Sequence, residues 1–442
     1  MTLSGTVSAP VDRYLARFTD LRKSGAAHEP GWLRRLREGG ISRVAAVGFP
    51  TGRDEEWKGT PVAPITRTSW APMAAASSRK VAAEVRRRAL DLEGGIRVVF
   101  LNGRFCPELS HLSALPPGMV ASGLADHLER RPGEMEPYLS PASFPDGHVF
   151  GALNDAFFTD GAVLILPSGR VVDAPVHLLF LTQAGPEPAV AHPRLLVVAQ
   201  PGSQVSLVET HAGGGPGASF QNLVRDLVLE EGAVVRHVVV QEEDVRAIHV
   251  SLTRVRQGKD SHLSAVTVTR GGGLVRNDCH VTLAAEGAEC HLDGLYMVDG
   301  TRHADTHTWI DHAHPRTVSQ QLYKGILDGT SRGVFFGRVL VRPEAQKVNA
   351  RQTNKNLLIS EGALARSTPQ LEIHADEVQC RHGSAIGQLD QEMMFYLQSR
   401  GIGRDAARRL LVLAFAREIL QKVSLPVLRE RLESELVGGG SW

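Results

Sequence analysis

Residues 195–240 set the texture of the chain: Leu195-Leu-Val-Val, Gly202, Val205-Ser-Leu-Val, Gly232, then Val234-Val-Arg-His-Val-Val-Val. Short β-branched runs cut by glycine corners are the mark of strands joined by tight turns. The pattern extends back to Val163-Leu-Ile-Leu and Val176-His-Leu-Leu-Phe-Leu. Helical periodicity is absent for roughly two hundred residues, which is unusual outside an all-β unit. Gly169, Gly202, Gly232, Gly258 and Gly287 each occupy a corner before a strand, at separations of 33, 30, 26 and 29 residues. A period near thirty fits one coil of a β-solenoid, whose stacked coils share a continuous core. A sandwich or Greek-key barrel also has closely spaced strands, and the drift of the period leaves both architectures open.

Outside this region the helical period returns. Tyr14, Leu15, Phe18 and Leu21 recur at helical spacing, and Ser77 to Leu92 is basic and amphipathic. Gly and Pro make 47–61 a turn-rich loop, Ile96 to Phe100 reads as a short strand, and a helix is expected from Met119 until Pro132 stops it. After Gly387, Asp390 suits the cap of a helix ending at Gly401. A second helix follows Gly403, with Leu410, Leu413, Ala414 and Ile419 on its apolar side, and Pro426 opens a last helix to about Val437.

The 442 residues suffice for a large core. Lys and Arg total 49 against 48 acidic residues, a net charge of +1, so bulk charge gives no reason to expect nucleic acid or an acidic membrane as partner. Four separate cysteines form no disulfide framework and no Cys-x-x-Cys pair; reduced thiols in a cytoplasmic protein are the simpler reading. The first ten residues lack the layout of a secretory signal, and no apolar run approaches membrane-spanning length.

A metal site deserves weighing at His303, Asp305, His307, Asp311, His312 and His314, with Cys279-His280 and Cys290-His291 nearby. The spacing matches no His-Glu-x-x-His site or paired cysteine knuckle. Strand alternation also sends Cys279 and His280 to opposite faces. No phosphate-binding Gly-x-x-x-x-Gly-Lys motif occurs, and no serine lies in a nucleophile elbow. Neither Glu372 with Asp376 nor Asp376 with Glu377 has the context of an acid–base pair.

The most specific segment lies nearer the C-terminus. It reads Gly333-Val-Phe-Phe-Gly-Arg-Val, Gln352-Thr-Asn-Lys-Asn-Leu-Leu-Ile, then Thr368-Pro-Gln-Leu-Glu-Ile-His-Ala-Asp-Glu-Val-Gln-Cys-Arg-His-Gly, and Phe395-Tyr-Leu-Gln-Ser-Arg-Gly-Ile. This ordered series resembles the SufB/SufD family of the SUF iron–sulfur cluster assembly machinery. Glu55-Glu-Trp-Lys with Thr60, and Phe150-Gly-Ala-Leu-Asn-Asp-Ala-Phe-Phe-Thr-Asp-Gly, resemble further family signatures. The Glu-Glu-Trp-Lys run and the strand Cys-Arg-His-Gly-Ser-Ala-Ile-Gly are similar to SufD-type rather than SufB-type members; Arg381 replaces the small or variable residue often found there.

The resemblance implies a mainly β chain: a right-handed parallel β-helix core at 151–387, a mainly helical N-terminal region at 1–150, and a C-terminal helical region at 388–442 that docks the ATPase SufC. It further implies a non-catalytic scaffold that pairs with SufB at the β-helix end. His382 is the candidate cluster-site ligand, holding metal transiently in a nascent iron–sulfur cluster shared with SufB, and Cys380 is its neighbour. Two residues apart on a strand, the two side chains point the same way and offer soft ligands. Leu410, Leu413, Phe415 and Ile419 are the candidate SufC contacts; the plainer reading of their region is a cap over the solenoid's open end, and both can hold, since one helix face can cap while another binds. Flavin binding and a homodimer in isolation stay open. The competing functions are a SufB-like paralogue and a β-solenoid carbohydrate-active enzyme, though no repeated acidic shelf for the latter is readable.

Overall fold

A computed structural model describes residues 9–24, 29–90, 94–139 and 148–438. Two long sheets face each other, and the chain alternates between them so that every coil contributes one strand to each. Eight coils run from Gly161–Leu166 with Val176–Gln183 to Leu364–Ile373 with Gln379–Gln388. Neighbouring coils pair in parallel and in register, as in Val224↔Leu252↔Asp278↔His307. The architecture is therefore a β-solenoid, and the sandwich or barrel is excluded.

The corners explain why the glycine period drifts. Gly169, Gly202, Gly232 and Gly287 adopt left-handed φ values of 67°, 67°, 63° and 75°. In the fourth coil that conformation passes from Gly258 to Asp260, φ 51°, and later to Arg316 and Lys347. Counted by conformation, the separations from 169 onward are 33, 30, 28, 27, 29 and 31 residues. Backbone bonds stack the corners on each other, Gly169 N to Pro201 O and Gly202 N to Glu231 O, both 2.8 Å.

Alternation along each strand separates an interior from two outer faces. Val205, Leu207, Leu227, Val235, Leu263 and Leu292 fill the interior. On one outer face Phe220, Ile248, Val250 and Leu274 are covered by α1 (Ala9–Ser24), α2 (Gly31–Val47) and, after four shorter helices, by the segment Val149–Phe157. The four are α3 (Ala63–Arg67), α4 (Ser78–Arg88), α5 (Leu124–Arg130) and α6 (Pro132–Leu139), making Val149–Phe157 α7. The helix expected from Met119 begins instead at Leu124, because Val120–Gly123 is recruited as a strand antiparallel to the first coil. Pro132 starts α6 rather than only ending its predecessor, since a first-turn proline loses no hydrogen bond. The basic helix stops at Arg88, short of the expected Leu92: Ala89 and Leu90 are no longer helical, and Asp91 and Leu92 lie outside the described residues.

The C-terminal helices are α8 (Gln391–Ser399), α9 (Arg404–Leu420) and α10 (Pro426–Gly438). Asp390 caps α8, accepting from Glu392 N at 2.9 Å and Met393 N at 3.1 Å. The expectation of a cap over the solenoid's end is not met. Val412, Leu413, Ala416, Ile419, Leu420, Leu428, Leu432 and Leu436 lie along the second sheet's outer face, against Val238, Val240, Val266, Val268, Leu295 and Ile326. Buried Glu242 ties this layer down by meeting Arg88 of α4 and Arg431 of α10. No described helix is long and apolar enough to cross a membrane.

Candidate functional site: the open end of the solenoid

The two ends of the stack differ. At the first coil, Val120–Gly123 runs antiparallel beside Gly161–Leu166, and Ile96–Leu101 adds to the second sheet before folding back into Arg104–Phe105. At the other end, Leu364–Ile373 and Gln379–Gln388 pair, among the described residues, only with the preceding coil. Each leaves one full row of backbone donors and acceptors open, a template for strand addition. Nearly all of Gln379–Gln388 is exposed, in contrast to the buried strands of the middle coils.

Cys380 and His382 lie on this last strand. Cys380 is in register with Ala350 and His382 with Gln352, and both of those partners are buried in the interior. The pair therefore faces into the open mouth from one side of the strand. Cys380 is partly buried against the cluster formed by Val339, Val341, Val348 and Ala350. Burial pushes its thiol up from the ordinary cysteine value, opposed by a backbone hydrogen bond from Ala350, so it is a neutral thiol near pH 7. His382 is exposed.

The other cysteines and histidines are distributed by the same alternation. Cys279 faces inward, in the column of Thr253 and Thr308, while His280 faces out against Trp309 with ring centroids 5.6 Å apart. Burial raises the Cys279 thiol to about 12 and the Cys290 thiol far above its usual value. His312 is inward and bridges Thr317 Oγ1 at 2.7 Å and Ser319 Oγ at 2.8 Å. His303, Asp305 and His307 face outward beneath the Glu55–Thr60 loop. There Thr60 Oγ1 donates to Asp305 at 2.6 Å and contacts His303 Nε2 at 2.9 Å. Buried Arg276 sits 3.8 Å from the Trp57 ring centroid and pairs with Asp278 at 2.7 Å and Asp305 at 2.9 Å. Asp311 holds Arg342 at 2.6 Å. The histidine-rich segment is thus occupied in holding the N-terminal loop and turns, and among the described residues no three His, Cys, Asp or Glu side chains are grouped to hold a metal ion.

Of the residues expected to face SufC, Leu413 and Ile419 are buried against the chain's own sheet, and Phe415 is half-buried beneath Lys324, 4.3 Å from its ring centroid. Leu410 is exposed. Three more large apolar side chains are exposed on α8, Met393, Phe395 and Tyr396; Phe395 is 73% exposed. The sequence assigned docking to the whole 388–442 region but named contacts only on the following helix; α8 buries Met394 and leaves its aromatic residues outside. The signal for these residues was the adjacent Phe395-Tyr396 pair.

Comparison with known proteins decides the family. The family model described as "SUF system FeS cluster assembly, SufBD core domain" matches residues 180–415, and that of the SufBD protein N-terminal region matches 9–178. The chain belongs to the SufB/SufD family. An iron–sulfur cluster assembly SufBD family protein of Synechocystis is 35% identical to it over 413 residues, 91% of this chain and 90% of the relative. One from Mycobacterium leprae is 31% identical over 88% of this chain and 90% of its own length. The iron–sulfur cluster assembly protein SufD of Escherichia coli is 27% identical over 90% and 92%. As a SufBD family protein the chain is a component of the SUF system for iron–sulfur cluster assembly. The Glu-Glu-Trp-Lys signature acquires a structural meaning within it, since Trp57 roofs Arg276 and seats the loop on the core.

Proposed function

We propose that this chain is a cytoplasmic, SufD-type scaffold without catalytic activity of its own, one arm of a complex with SufB and the ATPase SufC. The observation that carries the reading is the open solenoid end. Two edge strands present open main-chain hydrogen-bonding rows at the mouth where Cys380 and His382 face inward. A SufB-like solenoid adding its own last strands would complete both sheets. It would also bring its ligands opposite His382, whose imidazole binds iron as the neutral base. The nascent cluster is cargo shared across that joint. SufC docks on the exposed α8 face and Leu410, so that closure of the ATPase moves the arm and biases the interface.

Co-expression with the SufB and SufC of the same organism tests this. The expected result is one stable complex that isolates with iron and sulfide, with no ATP hydrolysis by this chain alone. Robust hydrolysis by the isolated chain, or its elution apart from both partners in size exclusion, overturns the reading.

A further inference from the structure

Beneath His382 the interior contains polar groups that the fold does not use. Moving inward along the second sheet, the column in register with His382 is Gln352, then Gln321, then Leu292. Gln352 and Gln321 are 1% and 3% exposed, and neither the amide nitrogen nor the oxygen of either finds a hydrogen-bond partner. The facing column of the first sheet is Pro369, Gly337, Thr308 and Cys279. Thr308 Oγ1 is also buried without a partner. Gly337 makes the room: a Cβ there would lie 2.2 Å from Gln352 Nε2. Coil spacing is about 4.8 Å, so these groups descend about 10 Å from His382 to the level of Gln321 and Thr308, below which Leu292 and Cys279 return the interior to the hydrophobic core.

Five buried polar atoms without protein partners, gathered in adjacent coils, would each carry the full desolvation penalty of an unmade hydrogen bond if dry. The neighbouring interior shows how this sheet behaves when polar groups are meant to be satisfied by protein. Asn354 donates to Tyr296 Oη at 3.2 Å, and Asn356 donates to Asn354 Oδ1 at 2.7 Å. The glutamine column makes no such bonds although it is equally enclosed. Groups of this kind are retained where ordered water completes them.

We propose that Gln352, Gln321 and Thr308 form a hydrated well under His382, and that Gln352 is a positioning residue for the assembly site. Water held by its amide hydrogen-bonds to the imidazole and to whatever the imidazole holds at the mouth. The second half of this inference rests on the proposed role of His382; the well itself does not.

Two measurements test the halves separately. A crystal structure of the full chain should show ordered water within hydrogen-bond distance of the Gln352 and Gln321 amides. A dry interior, or the two amides bonded to each other, overturns the well. In the complex with SufB and SufC, Gln352→Leu should lower iron and sulfide per complex by about tenfold, the usual scale for removing a group that orients a ligand. Complex yield and melting temperature should hold, because leucine replaces an amide that the protein does not pair. Gln352→Met, more adaptable in shape, should behave alike, and His382→Ala combined with Gln352→Leu should fall no further than His382→Ala alone. Normal cluster content in both Gln352 variants, with His382→Ala defective, removes the positioning role but leaves the assembly reading. Normal content in His382→Ala with water present removes the histidine reading but leaves the well. Lost cluster accompanied by a lost complex or a lowered melting temperature in both Gln352 variants shows a structural residue and overturns the positioning role.

Discussion

His382 and Arg276, three coils apart and on opposite sheets, illustrate two fates of polar residues in one solenoid. His382 has an open mouth before it, so His382→Ala is expected to leave folding and partner association near normal while iron and sulfide in complexes isolated from cells fall strongly. Cys380→Ser should have the smaller effect, because burial already keeps that thiol neutral. Arg276 is enclosed by Trp57, Asp278 and Asp305, and these carboxylates depend on it for compensation. Its attraction holds Asp278 well below the usual carboxylate range despite full burial. Arg276→Leu is therefore expected to cost about 3–5 kcal/mol by chemical denaturation, since removal of one partner leaves buried charge uncompensated. A change below about 1 kcal/mol would show that the Trp57 loop contributes little to the fold.

Among the elements, α9 packs on the chain's own sheet, whereas α8 carries the proposed docking face. Ile419→Ala in α9 should destabilise the chain by about 2–5 kcal/mol through a cavity against the sheet. Phe395→Ala in α8, at an exposed site, should stay within about 0.5 kcal/mol of the parent yet weaken capture of SufC in a pull-down. Equal SufC binding by the Phe395 variant would place the docking surface elsewhere. The strands carry a pH response. Burial holds His177 and His312 down at about 3, neutral in hydrogen bonds to Thr210 and to Thr317 and Ser319. Unfolded histidine takes up its proton near 6.5, so below that pH each of the two removes about 1.4 kcal/mol of stability per pH unit, down to about 3. Burial raises Asp293 to about 6, which acts in the opposite direction between roughly 4 and 6 because the folded carboxyl binds its proton first. Denaturant melts should thus be flat between about pH 7 and 8 and weaken on acidification from about 6.5, with the decline reduced in His312→Gln. A melt unchanged between pH 7 and 5 would contradict the neutral buried histidines.

For the molecule as a whole, the sequence by itself determined the β-rich middle, the helical flanks, the corner residues and the family. These are properties of local period, turn chemistry and long ordered motifs. Strand alternation alone separated Cys279 from His280 and aligned Cys380 with His382. What remained outside its reach depends on which residues meet across coils roughly thirty positions apart. The regular repeat was obscured at Gly258 because Asp260 can also adopt the left-handed conformation, so composition and geometry parted company at that corner. Leu413 and Ile419 read as a docking stripe because an apolar helix face carries no label saying whether its partner is another chain or its own sheet. The valines of the second sheet's outer face settle that for α9, leaving α8 uncovered. Gln321 was silent in sequence, and Gln352 stood there only as the first residue of a family-like run, since a glutamine on a strand is ordinarily a surface residue. Only the in-register stacking of coils six, seven and eight encloses them beneath His382, and only the missing side chain of Gly337 gives Gln352 its space. Local sequence sets each strand's two faces, but stacking decides which face is sealed, and what it is sealed with.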